Sequence, residues 1–594
     1  MKTYRVEDGA PQDVRTALAP YSALLQDLLY QRGITEASAA ADFLAPDYDR
    51  DSHDPFLLPD LEKAVDRILR AVETKEKVCV WSDYDCDGIP GGVLLAEFLR
   101  SIGLSVRHYI PDRHGEGYGL NSNGLDSVAA DGITLVITVD LGISDAVKVA
   151  YANSLGMEVI VTDHHIVPVG GETESEEEAA PGGEKSGLPK EGDPRTFRKQ
   201  ALPPAYAVIN PKRLDNTYPF DGLCGAGVAW KLVQGILKKN RFHFSEGQEK
   251  WMLDLAGIST LSDMVPLRGE NRMIARFGLM VLRRNRRPGF AALLSAMRIE
   301  PNTLSEDDVG FMIAPRINAA SRMDSPLLAA RLLATSSAAE AKDLAAQLDG
   351  INTERKTIVA GITKEVNKRL ADLDMADSPI IVMGNPNWRP GVLGLVANSL
   401  MQAHGKIVFL WGRDGGGELM RGSCRSDGSI NVVELMREVG DVLAGFGGHT
   451  AAGGFSVLQD RIHELAPRLT EVCKKMVTGA VVEQVIAVDR RLELAEVAFA
   501  HRDLAQMAPF GMQNAKPLFI FPQVKIASVR VFGKKTDHLE LGLERDGVKI
   551  SGIAFFSTPE SFQKVAVEGM LADIVGHVET DWRGNPRIRV VDVI

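Results

Sequence analysis

Cysteine is scarce. Five residues (Cys79, Cys86, Cys224, Cys424 and Cys473) are scattered through 594 positions with no CxxC pair, which excludes a disulfide framework and a thiolate zinc knuckle. Long apolar runs are also missing, since no stretch approaches roughly 18 uncharged apolar residues, and no transmembrane helix is expected. The opening MKTYRVEDGAPQD lacks an apolar leader core, which predicts a cytoplasmic protein. A Walker A loop, a GxSxG elbow and a complete GxGxxG are absent, which argues against nucleotide-driven motors, serine hydrolases and dinucleotide enzymes. Excess positive charge is lacking too: 67 Lys and Arg stand against 79 Asp and Glu, a net charge of −12. The acidic total argues against indiscriminate coating of nucleic acid.

What is present is the composition of a globular protein, 45% hydrophobic and 25% charged, long enough for about four domains. Leu61 to Thr74 reads as an amphipathic helix, after which a βα rhythm begins. KVCVWSDYD, ITLVITVDLG and MEVIVTDHH are short β-branched runs that stop at acidic residues or His, separated by helix-compatible segments. Alternation of this kind predicts a parallel sheet, with ligands held beyond the carboxyl ends of its strands. Residues 168–203 are Glu-, Gly- and Pro-rich, with 8 acids and 2 bases between Gly170 and Asp193, and predict a flexible acidic insertion. AYAVINP and a helix from Ala226 to Lys239 follow. Ser337 with Glu340 forms a capping-box pattern at the head of a long helix. A second α/β unit runs from Ser378 to the Gly-rich GFGGHTAAGGF. The tail from Val482 alternates apolar and polar residues, as a small antiparallel β-barrel does.

The chemistry concentrates at three strand ends. DYDCDG places Asp83, Asp85 and Asp87 at alternating positions before Gly88, an oxygen-rich turn suited to hard cations. Alone it reads equally as a solvated loop or a helix cap. Asp140 and the Asp163-His164-His165 group end two further strands, and burying so many carboxylates together is costly unless cations neutralise them. Mixed carboxylate and imidazole donors suit Mn²⁺ or Mg²⁺, with enough ligands for two ions and one bridging carboxylate. Such a pair serves phosphoester hydrolysis.

DYDCDG, VDLGIS, TDHH and FGGHTAAGGF, in this order and with EGYGLN, LCGAGVAWKL, LSDMVPLRGENR, APRINAASRMDSP, NWRPGVLGLVA, GSCRS and PFGMQNAKPLF between and after them, resemble the RecJ single-strand-specific exonucleases of the DHH phosphoesterase superfamily. The resemblance spans nearly the whole chain. It implies an α/β multidomain protein: an N-terminal helical region (1–75), a parallel-sheet DHH domain (76–330), a connecting long helix (331–375), a smaller α/β DHHA1 domain (376–460) and a C-terminal OB-like β-barrel (480–594).

Carried over residue by residue, the resemblance implies metal ligands at Asp83, Asp85, Asp87, Asp140, His164 and Asp263, with Asp140 bridging two Mn²⁺ or Mg²⁺ ions. His165 then faces the scissile phosphate as a donor or acid, and with Asp140 makes the catalytic pair. Asp263, in LSDMVPL, reads by itself as a turn cap. Gly447, Gly448 and His449 are implied as a backbone approach to phosphate with one polar tip. Arg316, Asn318, Arg322, Ser423 and Arg425 are implied substrate contacts, since guanidinium forks match phosphate. Arg276, Arg283, Arg284, Arg286 and Arg287 form a dense basic run that fits either a strand's backbone or a solvated helix face. Lys525, Arg530, Lys534 and Lys535 beside Phe532 offer the barrel charge and one stacking ring. The sequence departs from the family pattern at Pro90, Leu141, Ser321 and Arg389, none of them a proposed ligand.

The expectation is a 5′→3′ exonuclease of single-stranded DNA that releases 5′-mononucleotides in recombination and repair. It is expected to be monomeric, with a single-stranded-DNA-binding protein and a RecQ-type helicase as partners. Two rivals remain: a phosphodiesterase for short oligonucleotides or cyclic dinucleotides, and a non-catalytic Cdc45-like DNA-binding scaffold.

Overall fold

The computed structural model describes residues 2–169, 200–372, 378–413, 417–476, 485–533, 537–581 and 583–594. Most of the expected acidic insertion, as well as Lys534 and Lys535, lies outside the described residues. No described helix is long and apolar enough to cross a membrane. The chain forms two compact units that do not follow its linear order. One gathers residues 1–62, 211–281 and 481–594, and the other residues 63–210 and 282–480.

The second unit carries the strand ends. Its first sheet has five parallel strands, in the order Ser105–Tyr109, Lys77–Ser82, Leu135–Val139, Glu158–Thr162 and Ala207–Ile209. The inner strands are buried on both faces, as VCVW, LVITV and VIVT are, because helices cover a parallel sheet on both sides. The edge strand SVRHY was not apparent in the sequence: its charged, half-exposed residues give no apolar run.

The connecting long helix is Ala338–Ala371, a single run of 34 residues. Leu327–Ala334 precedes Ala338–Ala371, whose N-cap Ser337 accepts from Glu340 N. Only half of the predicted capping box forms, because the Glu340 carboxylate turns instead to Thr335 and Arg331. Beyond it, Ile380–Gly384 and Ile407–Arg413 pair in parallel, and Leu419–Arg425, Ala452–Leu458 and Gly445–His449 extend the sheet antiparallel.

The first unit contains a closed five-stranded barrel. Phe519–Phe532, His538–Arg545 and Val548–Phe555 pair antiparallel, and Leu571–Thr580 pairs with both Phe519–Phe532 and Pro586–Val593. Closure between Val548–Phe555 and Pro586–Val593 is parallel, so the purely antiparallel barrel of the sequence reading is corrected at this seam. Period-2 alternation fixes which face a strand buries, not the direction of its neighbour. The N-terminal region is not wholly helical either, for Thr3–Val6 pairs in parallel with Val485–Val488. Leu18, Leu28 and Leu29 pack in one core with Val497, Phe519, Phe521, Leu541 and Ile574. Each such fully buried side chain contributes about 1.5–3 kcal/mol, which ties the two ends of the chain together.

Candidate metal centre

Strand Lys77–Ser82 delivers Asp83, whose N–H donates to the Val139 carbonyl at 3.1 Å and which is buried. The chain then turns tightly: Asp85 Oδ1 accepts from Asp87 N at 2.8 Å and from Gly88 N at 3.1 Å. Gly88 is required, because a Cβ there would lie 2.5 Å from the Asp83 carbonyl oxygen. Asp87 occupies the N-cap of helix Gly88–Ser101 but makes no side-chain cap hydrogen bond. Its carboxylate Oδ2 instead lies 3.7 Å from His164 Nε2. The helix-cap reading of this turn therefore fails for Asp87.

Asp140 sits in the left-handed region, φ 65°. Its N–H donates to the Thr162 carbonyl at 3.0 Å, while Thr138 Oγ1 donates to the Leu141 carbonyl at 2.8 Å. These bonds hold a conformation that costs on the order of 1 kcal/mol for a non-glycine residue. Asp140 Oδ1 comes to 3.1 Å from His164 Nε2 and 3.9 Å from His165 Nδ1. Donor atoms of Asp83, Asp85 and Asp140 lie within 4.8 Å of one another, as do those of Asp140, His164 and His165.

Asp163 has a different task. Its Oδ1 accepts from His164 N (2.7 Å), His165 N (3.1 Å) and His165 Nδ1 (2.8 Å), and its Oδ2 accepts from Ile143 N at 2.9 Å. Burial opposes ionisation, but the His165 ring and these N–H donors outweigh it and hold the carboxyl below its ordinary range. Asp163 therefore orients His165. The sequence reading saw it only as a strand end, since its partners are fixed by the turn of the backbone.

The cluster fits a divalent cation. Asp83 is pushed well above the usual carboxylate range by burial and then by the adjacent Asp85. Asp83 Oδ1 is buried and has no hydrogen-bond partner among the described residues. A buried carboxylate of that kind is stabilised by a cation bound beside it. An all-oxygen and imidazole donor set is the chemistry that Mn²⁺ and Mg²⁺ select. Asp263 belongs to the other compact unit, at the C-cap of helix Leu253–Ser262.

The implied substrate contacts divide into two groups. Arg322 donates from Nη1 to the Gly391 carbonyl at 3.1 Å, and its guanidinium is pushed down to about 10 by burial and by Arg113, with Arg355 and Arg425 adding to the effect. Four guanidinium groups thus share one region, an arrangement that favours an anion. Arg113 and Arg355 were missed in the sequence, where isolated Arg residues carry no signal. Arg113 lies over the Tyr84 ring at 4.8 Å. A cavity of about 400 Å³ is lined by Arg113, His114, Arg421, Ser423, Phe446 and Gly447, among others. A Cβ on Gly447 would meet no atom within 4 Å, so the backbone there is open to approach. Gly448 (φ 145°) is required by the hairpin itself, since a Cβ would lie 2.4 Å from the Ala452 carbonyl. His449 ends that strand, exposed.

Arg316 is committed elsewhere. Its Nε and Nη2 both donate to Asp349 Oδ1, at 2.9 and 2.7 Å, and Nη1 donates to the Met312 carbonyl. Pro315 lacks an N–H, the helix widens into a π turn at Val309–Ile313, and Arg316 satisfies a carbonyl of that turn. Asn318 follows on the same helix, Ala314–Met323, with a buried Oδ1 lacking a partner among the described residues. The basic run is also largely engaged: Arg276 donates to the Leu44 carbonyl, Arg283 to the Leu304 carbonyl, and Arg287 to Glu97. Arg284 and Arg286 are its exposed members.

Residues 77–181 match the DHH family, N-terminal domain; residues 377–475 match the DHHA1 domain; residues 488–591 match the RecJ OB domain. The single-stranded-DNA-specific exonuclease RecJ of Bacillus subtilis is 32% identical over 573 residues, covering 96% of this chain and 67% of that protein. The Escherichia coli RecJ exonuclease is 30% identical over 519 residues, covering 84% of each. The crystal structure of Thermus thermophilus RecJ in complex with Mn²⁺ superimposes with a TM-score of 0.77 at 25% identity, covering 100% of this chain and 79% of that one. With its three domains in that order on one chain and a carboxylate and histidine cluster at the strand ends, this protein belongs to the RecJ exonuclease family.

Proposed function

We propose that the protein hydrolyses single-stranded DNA from its 5′ end, releasing 5′-mononucleotides, with Mn²⁺ or Mg²⁺. One observation carries the reading: Asp83, Asp85, Asp140, His164 and His165 converge within a few ångströms at the carboxyl ends of adjacent parallel strands. Asp83, Asp85, Asp87, Asp140 and His164 would hold two such ions. When bound, such ions supply Lewis acidity and neutralise phosphate charge.

The chain's own residues do the remainder. Asp163 accepts from His165 Nδ1, which orients the ring and stabilises its protonated form, so that the Nε2–H proton can pass to the departing oxygen of the scissile phosphate. Arg113, Arg322, Arg425 and Ser423 hold the strand's phosphates, with Gly447 giving them close backbone approach. On the barrel, Phe532 and His538 lie 5.3 Å apart and His538 and Phe555 5.6 Å, with Arg587 and Arg589 about 6 Å from the Phe555 ring. Alternating rings and cations suit unpaired bases. A cytoplasmic role in recombination and repair, beside a single-stranded-DNA-binding protein and a RecQ-type helicase, follows by analogy with the family.

The test is product release from a single strand labelled at its 5′ end, against the same strand labelled at 3′ and against a blunt duplex. Early release of labelled mononucleotide from the 5′-labelled strand alone supports the reading. Preference for oligomers of a few nucleotides favours the short-substrate phosphodiesterase instead, and strand binding with no cleavage under either cation favours the scaffold.

A further inference from the structure

The segment from Ile110 to Leu120 carries two side chains to the site. Arg113 lines the cavity with Ser423, and the Tyr118 hydroxyl donates to the Asp140 carbonyl at 3.3 Å. The segment is nevertheless rich in glycine, with Gly117 and Gly119 at φ 81° and 87°, and such a backbone has little intrinsic stiffness.

Glu116 supplies the stiffness. Its Oε1 accepts from the Tyr109 hydroxyl at 2.5 Å, and its Oε2 from Asp112 N at 2.7 Å. Asp112 Oδ1 in turn accepts from His114 N at 2.9 Å and Gly115 N at 2.6 Å. Glu116 N and Gly117 N return to the Asp112 carbonyl at 2.8 and 3.1 Å. Tyr109 is itself fixed, stacked on Trp81 with ring centroids 4.0 Å apart, two residues before Asp83. Burial, and then the bond to Glu116, hold the phenol proton well above its ordinary range, so Tyr109 donates at every working pH.

We propose that Glu116 is a positioning residue for strand binding: its carboxylate, held between the Tyr109 hydroxyl and Asp112 N–H, sets the loop so that Arg113 meets a phosphate of the bound strand. This rests on the reading of the cavity as a phosphate site. Glu116 touches no substrate, and its effect passes through Arg113.

The experiment measures binding of a fluorescent 5′-phosphorylated oligothymidylate to the full-length protein, in EDTA, across a series of salt concentrations. Arg113→Ala should weaken binding about tenfold and reduce the slope of log K against log salt by about 0.7, one single-strand phosphate. Glu116→Ala should reproduce both effects, and Arg113→Ala/Glu116→Ala should bind no more weakly than Arg113→Ala. Glu116→Gln keeps an oxygen for Asp112 N–H and should stay within about threefold of wild type. Where Glu116→Ala melts too low to assay, Glu116→Asp, which reaches one donor only, takes its place. A wild-type salt slope in Glu116→Ala or Glu116→Asp, or additive weakening in the double variant, overturns the role of Glu116. A wild-type slope in Arg113→Ala overturns the phosphate reading itself, independently of Glu116.

Discussion

Asp163 Oδ1 lies 2.8 Å from His165 Nδ1 while also accepting the backbone N–H groups of His164 and His165. One carboxylate thus fixes both the ring and the backbone of the histidine pair. Replacing Asp163 with Asn removes the anion and leaves the tautomer of His165 unspecified. The expected result is a fall in kcat of about 10–100-fold, with strand affinity in EDTA within about threefold of wild type. Steady-state kinetics beside an anisotropy titration check this split. Equal losses in both would show Asp163 to be a folding residue only.

Gly88→Ala should abolish the site. The added Cβ would meet the carbonyl oxygen, carbonyl carbon and Cβ of Asp83, at 2.5 to 2.7 Å, and backbone cannot yield there without moving the carboxylates. The expected loss is about 1–3 kcal/mol of stability and more than about 100-fold in activity, read by thermal melting and by nuclease assay. Near-normal turnover would mean that the turn tolerates a shift of Asp83.

Arg67 and Glu76 give a pH signature. The bond from Arg67 Nη2 at 2.7 Å, aided by Thr134 and Thr74, lowers the Glu76 carboxyl to about 2. The folded value is depressed, so the contribution is complete above the unfolded value near 4.5 and is lost as pH falls towards about 2. Glu76→Gln should therefore cost about 1–2 kcal/mol at neutral pH, with the gap to wild type closing between about pH 4.5 and 2. Denaturant titrations at several pH values measure the gap. A difference independent of pH would contradict the assignment.

Lys231 and Glu270 form a fully buried pair at 2.8 Å, with the Tyr218 hydroxyl also donating to Glu270. Removing one partner strands the other charge. Lys231→Met should destabilise the unit by about 3–5 kcal/mol, visible as a large drop in melting temperature. Glu270→Gln with Lys231→Met together should recover part of the loss, and a double variant no better than either single one would show that charge pairing is not what holds this contact.

The parallel sheet and its strand-end acids were legible because buried parallel strands are short apolar runs, and the acids interrupt them where ligands belong. Asp140, Asp83 and His164 were therefore within reach of sequence reading. Several relationships were not. Asp163 as the partner of His165, and Asp349 as the partner of Arg316, are pairings that only folding creates. The pairing of Thr3–Val6 with Val485–Val488 joins segments nearly a chain length apart. Local composition misled at the basic run, where Arg276 and Arg283 spend their donors on the Leu44 and Leu304 carbonyls.

The central claim is that these carboxylates and His164 form a two-ion centre. Anomalous diffraction from crystals soaked in Mn²⁺ tests it without reliance on turnover. The account predicts two peaks about 4 Å apart, both within ligand distance of Asp140, one bounded by Asp83 and Asp85 and the other by Asp87 and His164, with both weakened in Asp140→Asn. A full-length protein that shows no anomalous density beside Asp140 at saturating Mn²⁺ would contradict it.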